Sequence, residues 1–493
     1  MSMGDLDDTS SETPLIFEIG RPGRRGSTLP EPDVPEKRVD AMVPKRFLRE
    51  SPADLPEVSE LQTARHYVWL SRKNFSIDSH FYPLGSCTMK YNPKVNEAVA
   101  NLPGFRDTHP LQDPAQVQGV LQIFWELERI LSEISGLPHI TLQPAAGAHG
   151  ELTSLMILRA YYRDRGEKRD TVLIPDSAHG TNPASCSIVG FRTLEVRSGK
   201  DGLVDLDDFR KKVDRRTVAL MITNPNTLGL FERNIEEIAK ILHGEGAMLY
   251  MDGANLNALL GIARPGDFGV DVMHFNLHKT FSTPHGGGGP GCGPVGVIDA
   301  LAPFLPVPLI EKEDEEFRLN FDRPSTIGKV KSHYGHTGMV VRAYTYIRSH
   351  SPETLREISR QAVLNANYLL SLLRESYDAP FEGPCMHEAV FSASRQKEKG
   401  VRALDIAKRL LDLGFHPPTI YFPLIVPECL MIEPTETEGK ETLDLFAKAM
   451  IQIADESQKR PELVMGAPRR MPISRPDEVA AARNPRLRWR RSS

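Results

Sequence analysis

Lys279 follows a short apolar run, Val270 to Phe275, in the string Asn276-Leu277-His278-Lys279-Thr280-Phe281, and the glycine run Gly286 to Gly289 comes directly after it. A lysine on a solvated helix face has other charges at helical spacing, and none accompany this one. An amine held beside a carbonyl cofactor can form a Schiff base, and partial burial lowers its pKa so that it acts as nucleophile and base. A strand followed by a lysine is, taken alone, more often a structural feature than a catalytic one. Three upstream segments change that reading.

Asp252 closes the apolar run Met248 to Met251. A carboxylate there either caps the next helix or pairs with a protonated pyridine nitrogen and keeps the ring electron-poor. His179, in Asp176-Ser177-Ala178-His179-Gly180-Thr181, also follows a short apolar run. Its ring could stack on a flat cofactor, or serve only as a hydrogen-bonded surface group. The small-residue segment Ala145 to Gly150 precedes a helix and offers unpaired backbone N–H groups at a positive dipole end, where a phosphate is stabilised. It carries neither the Gly-Lys-Ser/Thr of a nucleotide-triphosphate loop nor GxGxxG. Lysine, aspartate, a planar histidine and a phosphate-sized helix start together describe pyridoxal phosphate.

These residues need elements that converge. Asp113-Pro114 reads as a helix start. Val117, Val120, Leu121, Phe124, Leu127, Leu131 and Ile134 then recur at three- and four-residue spacing up to Gly136. A second helix is expected over 151–162. Strands are expected at 171–175, 192–196, 218–223, 248–251 and 270–275, with helices from about 205 and over 235–243. Repeated βα units with short buried strands imply a mostly parallel sheet covered on both faces. Ligands of such sheets bind at the carboxyl ends of the strands, and the polar clusters 176–179, 224–227, 252–255 and 276–279 all fall there. The prolines from Pro303 to Pro308 and the charge run Glu311 to Glu316 suggest a connector. Beyond residue 330 helices (340–348, 352–375) and a few strands suggest a smaller domain. The expected division is therefore an arm and interface segment (1–95), a large domain (96–330), a small domain (331–460) and a basic irregular tail (461–493).

The chain of 493 residues is 40% hydrophobic and 25% charged, as an ordinary soluble enzyme is, and its net charge of −5 offers no argument for nucleic acid. Only the end is strongly basic, with Arg483, Arg486, Arg488, Arg490 and Arg491. That tail reads as a solvated extension or as an arm on a neighbouring subunit. No apolar run approaches the roughly 20 residues of a membrane helix. The acidic start lacks the order of a signal peptide. Five scattered cysteines (87, 186, 292, 385, 429) without a CxxC pair argue for the reducing cytoplasm and against a metal or disulfide framework.

Pro83-Leu84-Gly85-Ser86-Cys87-Thr88-Met89-Lys90, the segments 143–151, 176–183, 223–229 and 251–257, the Lys279 string, and the stretch from His416-Pro417-Pro418 through Glu433-Pro434-Thr435-Glu436-Thr437-Glu438 form a recognisable set. They resemble the glycine cleavage system P-protein family, and length and start point resemble the second (β) subunit of its two-subunit form. The resemblance runs from about Pro14 to Trp489. One departure is Ser332-His333-Tyr334-Gly335-His336-Thr337, where the family is more aromatic and carries asparagine.

The resemblance implies a fold-type I pyridoxal-phosphate-dependent transferase fold, α/β, with a large domain on a mostly parallel sheet and a smaller α+β domain. It implies that Lys279 holds pyridoxal 5'-phosphate, that Asp252 holds the pyridine nitrogen and that His179 stacks on the ring. His278 and the Gly147, Ala148 and His149 segment would meet the phosphate, with Thr227 and Ala254 on the pocket wall. Cys87 would serve packing, since this chemistry needs no thiol nucleophile. The implied activity is glycine decarboxylation with transfer of the aminomethyl group to the lipoyl group of the H-protein. The implied partners are subunit 1, in a dimer of heterodimers, and the lipoylated H-protein, with a functional link to the T- and L-proteins. Another pyridoxal-phosphate decarboxylase or an aminotransferase would share the core residues. A non-catalytic partner subunit would need neither Lys279 nor Asp252.

Overall fold

Seven short strands form one sheet in the computed structural model, which describes residues 13–51, 53–109, 111–286 and 291–488. They are β1 (His139–Thr141), β2 (Thr171–Pro175), β3 (Arg192–Val196), β4 (Thr217–Thr223), β5 (Met248–Gly253), β6 (Val272–Phe275) and β7 (Val295–Val297), ordered β1-β7-β6-β5-β4-β2-β3. The run from β6 to β3 is parallel throughout, whereas β7 is antiparallel to both its neighbours. The expected strands are all present. β1 and β7, with three residues each, were too short to show a pattern in the sequence.

The pleat explains why the strands are continuous apolar runs. Successive side chains point to opposite faces. Leu173, Leu220, Ile222, Leu249, Met251 and Met273 enter one core, with helices Gln118–Ser135, Ile235–Gly244 and Thr337–Arg348. Val172, Ile174, Ala219, Met221, Met248, Tyr250 and Val272 enter another, with helices Gly147–Asp164 and Thr181–Val189. With a core on each side, no strand in the middle of the sheet needs a polar face.

Helix boundaries shift in two informative places. Asp113-Pro114 starts a 3₁₀ turn, Pro114–Gln116, in which Asp113 accepts from the Ala115 N–H; the α-helix proper begins at Gln118 and ends on Gly136 at φ +73°. The second helix starts at Gly147 rather than 151, so part of the expected phosphate loop is the first helical turn. The expected connector around 303–316 is instead partly a hairpin, β8 (Leu309–Glu313) against β9 (Glu316–Asn320). Its charges alternate with Ile310 and Phe317, which are buried in the first core. The charge run concealed this period-two pattern.

A second, three-stranded antiparallel sheet comprises β10 (Ala389–Ser392), β11 (Thr419–Ile420) and β12 (Cys429–Ile432). Helices Pro352–Leu373, Ala403–Asp412 and Lys440–Lys459 cover it, and Leu369, Phe391, Ile406, Leu410, Phe446 and Ile453 form its core. This is the smaller α+β layer beside the parallel sheet. Residues 77–467 make one compact unit, and 1–76 with 468–493 make another. In the latter, the helix Glu60–Arg72 is capped by Ser59 and buries none of its residues, while Leu29 and Leu487 stand over four-fifths exposed. Arg490, Arg491 and Gly287 to Gly289 lie outside the described residues, as does Trp489. Among the described residues no helix is long and apolar enough to cross a membrane.

Candidate active site

The carboxyl ends of β2, β4, β5 and β6 open onto a cavity of about 240 Å³. It brings together eight of the residues singled out in the sequence: Lys279, His278, Asp252, Ala254, His179, Thr227, Gly147 and Ala148. His149 is not among them. Its Nδ1 accepts from the Ala145 N–H at 3.1 Å, so this side chain is spent on the backbone entering the helix and does not face the cavity.

Lys279 sits in the turn after β6, where its own N–H donates to the Asn276 carbonyl at 3.0 Å. Its Nζ donates to the Ser86 carbonyl at 2.7 Å, a contact to a loop far away in sequence. A second lysine braces the same turn. Lys90 Nζ, buried, donates to the Thr280 carbonyl at 2.8 Å, to Asn257 Oδ1 at 3.0 Å and to Glu436 Oε1 at 2.8 Å. Replacing Lys90 by alanine leaves Glu436 nearly buried without its cation. The expected cost is about 3–5 kcal/mol of unfolding free energy, read as a lowered urea midpoint; an unchanged midpoint would dismiss the brace.

Asp252 is placed by register: it lies beside Thr223 of β4 and His274 of β6. Its Oδ1 accepts from the Ala254 N–H at 2.9 Å and lies 3.3 Å from His274 Nε2, while Oδ2 accepts from Asn182 Nδ2 at 3.3 Å. Burial pushes the carboxyl up, but His274, the Ala254 N–H and the Lys279 charge outweigh burial and hold it below the usual aspartate range. A second carboxylate, Glu151, lies close by, with ligand atoms of Glu151, Asp252 and His274 all within 4.8 Å of one another. Burial, then the Asp252 charge, raises the Glu151 pKa, so Asp252 is the more readily ionised of the two. Thr181 Oγ1 and Ser185 Oγ donate to Glu151 at 2.8 and 3.1 Å. His179 Nδ1, at the exposed mouth, is 2.8 Å from Thr181 Oγ1. Hydrogen bonds thus connect the mouth histidine to the buried carboxylates.

Sequence reasoning missed Glu151, His274, Asn276 and Ser86. A polar residue inside the otherwise apolar Val272-Met273-His274-Phe275 was the available signal for His274.

The helix Gly147–Asp164 points its start into the cavity. Its first intrahelical bond runs from the Gly150 N–H to the Ala146 carbonyl at 2.9 Å, which leaves the preceding amides free for an anion. Glycine is required at its first position, because a Cβ on Gly147 would lie 2.2 Å from Asn276 Oδ1. His278 is the other group at this end. Burial, then the Lys279 charge, pushes its pKa down to about 3, so the ring is neutral. Its Nδ1 has no partner among the described residues, and neither has Thr223 Oγ1. Thr227 is held in the wall by a hydrogen bond to the Ser177 carbonyl. An amine, an isolated negative charge, a neutral imidazole and a helix start on one cavity suit a flat, anionic carbonyl compound.

Comparison with known proteins fits that geometry. The family model described as Glycine dehydrogenase, C-terminal domain, matches residues 358–467, and that described as Aminotransferase class-V matches 150–288. Probable glycine dehydrogenase (decarboxylating) subunit 2 of Halalkalibacterium halodurans is 60% identical over 96% of this chain and 98% of its own. The protein of the same description from Bacillus licheniformis is 59% identical over the same shares. Among solved structures, glycine decarboxylase (P-protein) of the glycine cleavage system in inhibitor-bound form superimposes with a TM-score of 0.72. It is 23% identical and covers 84% of this chain and 94% of its own.

Proposed function

The chain belongs to the family of glycine dehydrogenase (decarboxylating) subunit 2, and from that premise we propose that it binds pyridoxal 5'-phosphate and uses it to decarboxylate glycine. The aminomethyl group then passes to the lipoyl group of an H-protein. The observation that carries this reading is the single cavity onto which Lys279, Asp252 and the start of the helix at Gly147 open.

The residues present fit the cofactor. Unpartnered His278 Nδ1 and Thr223 Oγ1 lie where polar groups of a ligand would satisfy them, and the absence of a Cβ on Gly147 lets the Asn276 side chain lie against the helix start. Lys279 would hold the carbonyl carbon, Asp252 the ring nitrogen, and the free amides at Gly147 and Ala148 the phosphate. When bound, pyridoxal phosphate supplies an electron sink for the charge left by loss of carbon dioxide.

The protein contributes position and charge. Asp252, itself buried, keeps its negative charge and can hold a proton on a ring nitrogen without taking it. Glu151 beside it is the weaker acid of the two. Neutral His278 adds no cation beside Lys279. The Ser86 carbonyl holds Nζ in place when the amine is free. His179, at the mouth, is placed to cover a flat ring and to meet what enters.

The family description as a second subunit supports a partner, subunit 1; a dimer of heterodimers in the cytoplasm, with the T- and L-proteins taking the products onward, completes the proposed reading. An exchange assay of labelled bicarbonate into glycine, with each component omitted in turn, tests this. Exchange is expected to need this chain, subunit 1, pyridoxal phosphate and lipoylated H-protein together. Full activity from this chain alone would refute the two-subunit part, and none from the complete mixture would refute the reaction.

A further inference from the structure

Beneath the loop that meets Lys279 lies a second group of acids. Extending the β10–β12 register by one pair beyond Ala389 and Ile432 sets Glu388 opposite Glu433. Both are fully buried, as is His387. Glu388 Oε2 accepts from the Ser86 N–H at 2.8 Å, and Glu433 Oε2 accepts from the Thr88 N–H at 2.9 Å. Each carboxylate has one oxygen left. Glu388 Oε1, Glu433 Oε1 and both ring nitrogens of His387 have no partner among the described residues, and ligand atoms of the three side chains lie within 4.8 Å of one another.

Two carboxylates cannot both stay ionised at that separation without water or a cation. His387 is a poor cation here. Its Nε2 stands 3.9 Å from Glu433 Oε1, beyond hydrogen-bond reach, and burial pushes its pKa down. We propose that Glu388 and Glu433 share one proton, and that this acid pair is a positioning device for Lys279, fixing both the Ser86–Thr88 loop and the charge beneath it.

The loop needs such an anchor. Ser86 and Thr88 both lie in the left-handed region, at φ 62° and 46°, which β-branched and other non-glycine residues disfavour. Gly85 packs where any Cβ would lie 2.3 Å from Met431. Ser86 is the coupling residue, since its N–H reaches Glu388 and its carbonyl reaches Lys279 Nζ. The titratable groups around the pair are few. Burial, then the Glu433 charge, raises the Glu388 carboxyl well above its ordinary range, against the Ser86 N–H and Lys279. Cys87, Cys385 and Cys429 are thiols that burial pushes up, the latter two to about 12, so none supplies an anion. Lys279 is the one facing cation among the described residues, and a pair holding one proton leaves a single negative charge for it.

The role assigned to Lys279 rests on the proposed function, but the shared proton does not, and the experiment separates them. Infrared difference spectra of the full chain, wild type minus Glu388→Gln at neutral pH, are expected to show a protonated-carboxyl stretch that the variant lacks, both with and without pyridoxal phosphate. Glutamine keeps the bond to Ser86 and can donate to Glu433, so the net charge of the pair is unchanged. The pH at which the absorbance of Lys279-bound cofactor titrates is therefore expected to stay put in Glu388→Gln and to fall by roughly one pH unit in Glu388→Gln/Glu433→Gln, where the negative charge is gone. Absence of the stretch in the wild type, a stoichiometric metal ion by elemental analysis, or an equal shift in the single variant would each overturn the acid pair. If the stretch is present but borohydride traps no cofactor on Lys279, the functional reading fails and the shared proton stands.

Discussion

Lys279→Ala is expected to abolish turnover and, with it, the cofactor link that borohydride traps in the wild type. Among the described residues lining the cavity, Lys279 is the only lysine. The other buried lysine close to the same turn, Lys90, already serves a carbonyl, an amide and a carboxylate, so it has neither the freedom nor the position to substitute. Intact-mass measurement after reduction reads the result. A cofactor-sized adduct surviving in the variant would end the assignment, because the covalent partner would then be elsewhere.

The second large effect belongs to Asp252→Asn. The amide keeps the size and the contact to the Ala254 N–H, and removes only the charge. A loss of roughly 2 kcal/mol or more in transition-state stabilisation is expected, about thirtyfold in kcat/KM of the exchange reaction. Glu151 bounds the loss from above. Burial, then the Asp252 charge, raises its pKa, so its ionised form is favoured further once that charge is gone. Asp252→Asn/Glu151→Gln is accordingly expected to be slower than Asp252→Asn. Near-normal exchange in the single variant would mean that the ring nitrogen has another partner.

Much of the parallel sheet was legible because each strand is a local event. A run such as Val218 to Thr223 carries its own evidence, and its carboxyl end marks where a ligand belongs. Lys279, Asp252 and His179 could be named for the same reason, each standing directly after such a run. The resemblance in a few short strings proved to extend over nearly the whole chain. What stayed hidden depends on distance along the chain. Ser86 meets Glu388 across 302 positions, and Thr88 meets Glu433 across 345; no periodicity carries such pairings. Glu388 and Glu433 each look like an ordinary acid at the end of a strand until the antiparallel register sets them face to face. The β8–β9 hairpin failed for the opposite reason, since its exposed charges were too conspicuous and hid Ile310 and Phe317. The His149 side chain is engaged elsewhere, because a histidine in the first turn of a helix can reach back to the chain that leads into it.

Since the middle strands are apolar on both sides, the sheet is forgiving about which aliphatic side chain fills a place and unforgiving about counting. Leucine for methionine in β4 or β5 changes little, whereas deleting one residue ahead of Asp252 would exchange the two cores' side chains and turn the carboxylate to the wrong side of the sheet. The chain therefore behaves as a ruler whose marks are single residues. Variation in length is tolerable only at the loops on the far edge, where the strands begin and nothing reactive is being measured out.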